Sequence, residues 1–528
     1  MSFYSSTSWP LRLDAAFAFL FLWNQRWCLR IFSTEQKLAG EKSPASRGFI
    51  APERTTTTAT VAMGSISEGP ARALINLQLG WPSPRLFAKE GLLKGAQEVL
   101  TSDKESAAAL IYGPHAGHPP LRESIAEWLS SVYTSSQPTT KERICVTNGA
   151  SGNLANVLLK FSDPIYTRKI FMVEPTYFLA CPIFEDNGFQ GRLRGVPEDD
   201  KEGLDLEFLR RELEAAEAVA TETAPTIKTG RTYPKVYKYF IYLVPTFSNP
   251  SGKTLSLRMR QDLVALARQF DALIVSDDVY DFLQWPEDSS APHDSVSQVP
   301  PRLVDIDRAM PGYTKWGNTL SNGSFSKVIG PGVRVGWADC SPAMVLELAE
   351  VGSSSSGGQP AHLTSTFVDK MLRSGYMQEF ISNTLIPAYR KRYYVLMKAI
   401  NELLVPLGMK VEVNRPADAT TATAGGFFTY LSLPEDLPAA KIVAAVAFQD
   451  YQLRVAFGHM FTVTGDHGST SRAEEKGGFA RCIRLCWAWH EEDEIQSGVQ
   501  RLADVIIDIR GGMKRGEDIG SNVSIGIR

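Results

Sequence analysis

The amino-acid sequence predicts an α/β fold, with a mostly parallel central sheet in a large domain and a smaller α+β domain after it. Between residues 143 and 275, short and continuously apolar runs alternate with helical patterns. Such alternation is typical of a parallel sheet that helices cover on both faces. Beyond Trp337 the pattern changes to long helices over about 361–404, followed by glycine-rich and strand-like segments. This change indicates the second domain.

Each strand of the predicted fold is recognised by its apolar run. The runs cover residues 143–147, 170–173, 239–244 and 273–275, and two later ones cover 425–433 and 481–489. Helices are predicted where apolar side chains recur every three or four residues. They do so at Leu121, Ile125, Trp128, Leu129 and Val132, at Leu154, Val157, Leu158 and Phe161, and at Leu263, Leu266, Ala267 and Phe270.

Composition and charge limit the function. The chain has 528 residues, of which 44% are hydrophobic and 21% charged, as in ordinary globular proteins. Lysine and arginine number 55 against 58 aspartate and glutamate residues. A nucleic-acid partner is not expected, because such binders carry a concentrated basic surplus, so the substrate should be small. The six cysteines are scattered without metal-ligand spacing, which predicts no metal site and reduced thiols.

Residues 1–72 differ from the rest and are predicted to be a leader and a disordered linker. The most apolar run, 15–23, is shorter than the ~20 residues of a membrane span, so no membrane partner is expected. Arg12, Arg26 and Arg30 flank it, as in a mitochondrial transit peptide. In the alternative interpretation Met63 is the functional start and the leader is incidental. The predicted location is cytoplasmic, with the mitochondrion as the alternative.

Polar motifs follow the apolar strands. The loop 148–152 runs from a strand end into a helix, where backbone N–H groups and the helix dipole favour an anion. A plain strand-to-helix turn is the alternative. In the segment 324–327, followed by Arg334, two hydroxyls, an amine and a guanidinium come together. Lys327 lies among apolar neighbours that would depress its pKa and favour imine chemistry, although a lysine is usually a solvated surface residue.

Three further segments carry groups suited to a heteroaromatic ring. Asp277 and Asp278 end an apolar strand and Tyr280 follows; a carboxylate there can hold a ring nitrogen protonated, or it can simply cap the next helix. The amide of Asn249 can bond a ring hydroxyl, although its neighbours are also common turn residues. Tyr177 can stack on a ring or belong to the core.

Together and in this order, the motifs resemble the class I/II aminotransferases, which are fold-type I pyridoxal-phosphate enzymes with the aspartate aminotransferase fold. The resemblance covers about residues 76–502. It implies pyridoxal 5'-phosphate as cofactor, with Lys327 forming the Schiff base. It implies that Asp277 pairs with the ring nitrogen, since the family spacing is Asp-x-x-Tyr, and that Asn249 and Tyr280 bond the ring hydroxyl.

The resemblance also assigns the rest of the cofactor site. Tyr177 would stack on the ring, and the phosphate would be held by Ala150, Ser151, Gly152, Ser324 and Arg334. The loop 150–152 carries fewer polar side chains than is usual in the family. Backbone donors are therefore expected to be the main contacts of the phosphate here.

Substrate and partner residues follow from the same resemblance. Tyr112 matches the tyrosine that reaches the partner subunit's phosphate, which implies a homodimer with shared active sites. Arg484 matches the arginine that binds the substrate α-carboxylate, and Gly80 and Asn249 are expected to contact substrate. The segment 353–359 resembles a loop of the branch near 2-aminoadipate and kynurenine aminotransferases. The implied division is 73–125, an N-terminal segment at the small domain and dimer interface; 126–345, the large cofactor domain; and 346–528, the small domain.

The predicted function is transfer of an amino group between an L-amino acid and a 2-oxo acid, with 2-oxoglutarate as the expected acceptor, by a ping-pong mechanism. Lys327, Asp277 and Tyr280 are the expected catalytic residues. A specialised metabolic pathway is one setting. Two alternatives stay open: a pyridoxal-phosphate lyase that cleaves carbon–sulfur bonds by β-elimination on the same scaffold, and a non-enzymatic sensor that binds the cofactor.

Overall fold

The computed structural model describes residues 73–133, 135–199, 201–292, 300–413 and 422–515. All of them belong to one compact unit, Pro70–Arg528. The leader and linker predicted over 1–72 lie outside the described residues. Among the described residues, no helix combines the length and the apolar composition that a bilayer crossing demands.

The strands of the described residues fall into four sheets. In chain order the strands are β1 Ile75–Asn76, β2 Ile144–Thr147, β3 Lys169–Glu174, β4 Leu193–Pro197, β5 Tyr239–Leu243, β6 Ala272–Asp277, β7 Gln284–Pro286, β8 Thr319–Ser324, β9 Gly336–Asp339, β10 Lys410–Glu412, β11 Thr423–Gly425, β12 Phe428–Ser432, β13 Leu453–Arg454, β14 Ala456–Phe457 and β15 Cys482–Cys486. The largest sheet has seven strands in the order β2-β9-β8-β6-β5-β3-β4. Only β9 runs antiparallel to its neighbours there, so the predicted mostly parallel sheet is confirmed.

Helices connect and cover these strands. In chain order they are α1 Lys89–Leu100, α2 Asp103–Leu110, α3 Pro119–Val132, α4 Ala150–Phe161, α5 Cys181–Phe184, α6 Leu206–Ala218, α7 Leu257–Gln269, α8 Leu303–Ala309, α9 Pro342–Ala349, α10 Gly352–Gly357, α11 His362–Arg373, α12 Tyr376–Phe380, α13 Ile386–Ala399, α14 Ala440–Tyr451, α15 His467–Glu474 and α16 Glu492–Arg515. The long helical stretch predicted over 361–404 is thus α11 followed by α12 and α13, and the π-helical turn Ile381–Leu385 joins the last two without a break. Gly375, at φ 76°, separates the first two.

The central sheet is buried on both faces. Side chains alternate along a strand, so Met172 of β3 packs in one apolar layer and Phe171 in the other. Helix α4 contributes Leu154 and Val157 to the first layer, and α6 and α7 contribute Leu209 and Leu263 to the second. Because both faces need apolar side chains, the strands appear in the sequence as continuous apolar runs.

A second sheet is antiparallel and has the order β10-β12-β15-β14. The strand predicted over 425–433 is two strands, β11 and β12, because the chain turns at Gly426, where φ is 66°. The N-terminal strand β1 pairs in parallel with β13. This pairing brings the residues after Asn76 next to β15, since the N–H of Cys486 donates to the carbonyl of Leu77 at 2.8 Å.

Candidate active site

The carboxyl ends of the parallel strands meet at one edge of the central sheet, which is where α/β proteins usually bind ligands. A cavity of about 750 Å³ opens there. The segment after β1 and the strand β15 close its other side. Among the residues predicted for the site, those that line the cavity are Gly80, Ala150, Ser151, Tyr177, Asn249, Asp277, Tyr280, Ser324, Lys327, Arg334 and Arg484.

Lys327 ends the short helical turn Phe325–Lys327 that follows β8. Its Nζ donates a hydrogen bond of 3.0 Å to the carbonyl of Gly80, and it lies 5.2 Å from the centre of the Phe427 ring. Burial lowers the pKa of this amine to about 8, a change that Cys486 and Asp277 oppose. About a tenth of the amine is therefore uncharged at pH 7, far more than for an ordinary lysine, and the uncharged form is the nucleophile.

Asp277 is the last residue of β6, and its side chain is only 8% exposed. Its Oδ2 accepts a hydrogen bond of 2.8 Å from the phenol of Tyr242 on β5, whereas Oδ1 is buried without a hydrogen-bond partner. Burial raises the pKa of this carboxyl to about 6, while the Tyr242 hydrogen bond and Lys327 work against that rise. An unpartnered carboxylate oxygen at the cavity wall is suited to a cationic N–H donor.

The neighbouring Asp278 does not line the cavity. Its Oδ2 accepts hydrogen bonds from the hydroxyls of Ser276, at 2.9 Å, and Ser321, at 2.5 Å. Burial and the nearby Asp281 raise its pKa. This carboxyl is therefore held inside the protein, and of the two neighbouring carboxyls only Asp277 belongs to a residue that lines the cavity.

An anion can be bound where α4 begins. Gly149 precedes this helix at φ 97°, and no side chain caps the first turn, so the N–H groups of the turn remain available. The hydroxyl of Ser324 donates to Ser326 at 2.8 Å and accepts from the Ser326 N–H at 3.1 Å. The guanidinium of Arg334 is anchored by the carbonyls of Asn148 and Pro331, at 2.9 and 3.0 Å.

Arg484 occupies the side of the cavity formed by β15. Its guanidinium donates to Oδ1 of Asn249 and to the carbonyl of Gln78, both at 2.6 Å, and its Nε is buried without a partner. The rings of Phe428 and Phe461 lie 4.1 and 5.1 Å from the guanidinium carbon. The group is thus fixed in orientation by two of its five N–H donors, and the others remain for a carboxylate.

Comparison with known proteins agrees with this geometry. Residues 87–502 match the family model "Aminotransferase class I and II". The chain belongs to the class I and II aminotransferases. An uncharacterized protein of Saccharomyces cerevisiae is 34% identical over 450 residues, which are 82% of this chain and 96% of the relative. Aromatic-amino-acid aminotransferase 1 of Thermococcus litoralis is 28% identical over 82% of this chain and 88% of the relative.

Among solved structures, LysN, the alpha-aminoadipate aminotransferase of Thermus thermophilus, is similar at a TM-score of 0.62. Its sequence is 25% identical, and the match covers 83% of this chain and 93% of that one. That structure is complexed with N-(5'-phosphopyridoxyl)-L-leucine. The aspartate aminotransferase fold predicted for the present chain is therefore confirmed, and its cofactor is pyridoxal phosphate.

The residues of this aminotransferase fit that cofactor. The unpartnered Oδ1 of Asp277 suits a protonated pyridine nitrogen, and the partly uncharged amine of Lys327 suits the aldehyde. The uncapped start of α4 and Arg334 suit the phosphate. Within the described residues, no group of three or more His, Cys, Asp or Glu side chains is arranged to hold a metal ion.

Two predicted site residues of the aminotransferase lie elsewhere in the structure. Tyr112 is 86% exposed and does not line the cavity, so within one chain it contacts no part of the cofactor site. Gly152 is not at the cavity wall either. A Cβ at that position would lie 1.9 Å from Oδ1 of Asn148, so the glycine makes room for the loop instead of contacting the cavity.

Several cavity residues were not predicted from the sequence. Ser326 and Arg454 line the cavity, and Trp81 stands at its wall with 57% of its surface exposed. Tyr242 supports Asp277 from the neighbouring strand. Ser326 lies in the motif 324–327, so the sequence already indicates it as a candidate. Arg454 and Tyr242 carry no pattern of their own, because strand pairing places them, whereas Trp81 directly follows Gly80, which was predicted to contact substrate.

Proposed function

We propose that this protein transfers the amino group of an L-amino acid to a 2-oxo acid, with 2-oxoglutarate as the acceptor, in a ping-pong mechanism. One observation carries the proposal: Lys327, Asp277 and Arg484 line a single cavity. An amine, a carboxylate and a carboxylate-binding group are the three functions that this reaction requires of the protein.

When bound, pyridoxal phosphate supplies an electron-withdrawing ring that stabilises negative charge at the substrate Cα. Asp277 keeps the ring nitrogen cationic through its free Oδ1. Arg484 binds the substrate α-carboxylate and so fixes which bond at Cα faces the amine. Lys327 would take the proton from the substrate Cα as general base and, as general acid, deliver it to the former aldehyde carbon of the cofactor.

The aromatic surroundings support the roles of these residues. Tyr280 is buried, and the centre of its ring lies 5.4 Å from the centre of the Phe427 ring. The amine of Lys327 lies 5.7 Å from the centre of the Tyr280 ring. Burial raises the pKa of Tyr280 well above that of a free phenol, so its hydroxyl stays protonated and can donate to the ring oxygen of the cofactor. Tyr177 lines the cavity and is half-buried, which supports the proposal that it covers the ring.

We also propose a homodimer with shared active sites. Tyr112 and its neighbours Leu110 and Ile111 are 86%, 65% and 68% exposed, which is an unusual position for three large apolar side chains in a row. A second copy that covers this segment would bring Tyr112 to the partner's phosphate site. Mass determination in solution tests the assembly, and Tyr112→Ala should weaken cofactor binding if the site is shared.

The predicted division into an N-terminal segment, a large domain 126–345 and a small domain 346–528 is part of the same proposal. We also propose a cytoplasmic location, with the mitochondrion as the alternative, and a role in a specialised metabolic pathway. The location depends on residues outside the described part of the chain. Sequencing the N-terminus of the native protein tests whether residues 1–62 persist.

The decisive experiment for the function combines two variants with an amino-donor panel. Lys327→Ala should abolish both turnover and the absorbance of the lysine-bound cofactor. Lys238→Ala removes a lysine that precedes β5, at the opposite end of that strand from the cavity, and should retain both. Amino donors are offered with 2-oxoglutarate while the absorbance of the two cofactor forms is followed. Pyruvate and ammonia released without an acceptor would instead indicate the lyase, and cofactor binding without turnover of any donor would indicate the sensor.

A further inference from the structure

One wall of the cavity is a short stretch of main chain, residues 76–82, called here the wall segment. Six of its seven residues line the cavity. The carbonyl of Gly80 accepts a hydrogen bond of 3.0 Å from the amine of Lys327. The carbonyl of Gln78 accepts one of 2.6 Å from the guanidinium of Arg484. The position of the wall segment therefore affects both the reacting amine and the group proposed to bind the substrate carboxylate.

The wall segment is held at its first residue by a histidine. The backbone N–H of Asn76 donates to Nε2 of His490 at 2.9 Å, and His490 is buried. The strand β13 occupies the other edge of β1, where the N–H of Ile75 donates to the carbonyl of Gln452 at 2.9 Å. Neighbouring residues of a strand direct their N–H groups to opposite edges, so β13 does not reach the N–H of Asn76. The imidazole supplies the acceptor that this donor needs.

The two contacts of His490 determine where its ring carries a proton. A backbone N–H can only donate, so Nε2 accepts and carries no proton. The other ring nitrogen, Nδ1, lies 3.1 Å from Oε2 of Glu494 in α16. Burial would raise the pKa of Glu494, but hydrogen bonds from His490 and from the N–H of Glu491 lower it below its ordinary value. The ionised carboxylate only accepts, so Nδ1 holds the single proton of a neutral ring.

A second proton on the ring would break the contact with the wall segment. It would bind to Nε2, and two N–H donors would then face each other between His490 and Asn76. An imidazole ordinarily gains this proton within the range of pH 5 to 8. Acid pH should therefore release the first residue of the wall segment.

The charged side chains near His490 favour that second proton. Glu494 contacts Nδ1 directly, and β1 has no ionisable side chain. Two arginines approach from other elements, Arg392 from α13 and Arg85 from the turn after the wall segment. Both pair with Glu491, at 2.7 and 3.7 Å. The arginines are thus occupied by one carboxylate, while the other carboxylate stabilises a cationic imidazole.

We infer that His490 is a positioning residue of the active site: its neutral ring fixes the wall segment, and a proton on Nε2 releases the segment and weakens substrate binding. The inference rests on the proposed function, because it takes Gly80 and Arg484 as parts of the substrate site. His490 does not line the cavity, so it acts through the main chain of Asn76. Substrate affinity at acid pH therefore depends on this imidazole.

Two uncharged variants separate the roles of the two ring nitrogens. His490→Gln places an amide oxygen near the position of Nε2, so it keeps an acceptor for Asn76 that does not titrate between pH 5 and 8. His490→Asn keeps a donor near the position of Nδ1, toward Glu494, and loses the acceptor for Asn76. His467→Gln, which replaces an exposed histidine at the start of α15, is the matched control and should behave as wild type.

Hydrogen exchange of the wall segment in the holoenzyme measures the contact without turnover. Rates are followed by mass spectrometry and corrected for the intrinsic effect of pH. In the wild type the protection of Asn76 should fall about fivefold or more between pH 8 and pH 5.5, the loss of one ordinary hydrogen bond. His490→Gln should keep the protection at both pH values, and His490→Asn should lack it at both.

Steady-state kinetics supply the second readout. The KM of the wild type for an amino donor, divided by that of His490→Gln, should be about 1 at pH 8 and about 5 at pH 5.5, with kcat equal within about twofold. Both proteins share the titrations of Lys327 and Asp277, so the ratio removes them. Wild-type protection that is equal at the two pH values, or that falls equally in His490→Gln, would overturn the inference. If no donor supports transamination, the proposed function fails, yet hydrogen exchange still decides whether His490 holds the wall segment.

Discussion

The phenol of Tyr242 donates a hydrogen bond of 2.8 Å to Oδ2 of Asp277, and the other oxygen of that carboxylate is left for a ligand. The two residues lie on neighbouring parallel strands, β5 and β6. Tyr242 is buried and does not line the cavity, so its contribution to the site acts through Asp277. The pair shows how a strand interior can support a reacting group that stands at the strand end.

Replacement of Tyr242 by phenylalanine should lower the affinity for the cofactor, while the phenylalanine ring keeps the core packed. The carboxylate of Asp277 would lose its hydrogen bond, so its pKa should rise further above about 6 and it should hold a ring proton less well. Cofactor affinity should fall about tenfold, as measured by equilibrium dialysis. Tyr239→Phe removes a hydroxyl from the same strand that bonds Arg168 and Glu217, and it should leave cofactor affinity unchanged.

Asp277→Asn should make the apoprotein more stable while it abolishes activity. Because the folded pKa of about 6 lies above the ordinary value of 3.8, ionising this buried carboxyl costs folding stability as the pH rises between those values. The cost is about 3 kcal/mol once the pH exceeds the folded pKa. Thermal unfolding should show a higher Tm for the variant at pH 7.5, and about half of that difference at pH 5. An identical Tm for variant and wild type at both pH values would contradict this account of the carboxyl.

The rate of cofactor loading should rise with pH. The reacting form of Lys327 is the uncharged amine, and its pKa is lowered to about 8 by burial. Loading of the apoenzyme, followed by the absorbance of the imine, should therefore accelerate from pH 6 to pH 8 and level off above that. A rate that keeps rising tenfold per pH unit up to pH 10 would show that the amine is not desolvated.

Gly149→Ala should impair phosphate binding. At φ 97° an alanine is strained, and its Cβ would lie 2.6 Å from Nη2 of Arg334. The arginine must move, so cofactor affinity should fall about tenfold or more in a dialysis measurement. Gly230→Ala is the matched control, because that glycine has φ 77° with no atom within 4 Å of the added Cβ. It should lose about 1 kcal/mol of stability and keep its cofactor affinity.

Arg484→Lys should fail although the positive charge is kept. A lysine cannot bond Asn249 and the Gln78 carbonyl together and still offer a fixed donor to a carboxylate. We expect kcat/KM to fall about 100-fold for every amino donor, in steady-state kinetics. Arg481→Lys, three residues earlier in the chain, affects only contacts with Pro434 and Leu437 and should leave kinetics unchanged. Equal losses in both variants would indicate damage to the fold around β15.

The sequence permits prediction of groups that stand at strand ends or in loops with characteristic spacing. Lys327, Asp277 and Asn249 lie at or just beyond the ends of apolar strands, and the parallel sheet then brings those ends together. Tyr242 lies inside the apolar strand β5, and Arg454 lies in β13, which has only two residues. Their place depends on which strands are neighbours, and periodicity does not specify that order. Tyr112 carries a clear motif, yet the contact proposed for it requires a second chain.

Gln78 contributes to the cavity through its peptide group, whose two ends join Arg454 and Arg484. Any amino acid with a backbone N–H offers the same two bonds, so selection on this position need not preserve the glutamine. A proline there would remove the donor to Arg454, although alanine would not. The side chain at this position can therefore change while the main chain still joins the backbone of β13 to the guanidinium of Arg484, so the course of the backbone is the feature that matters here.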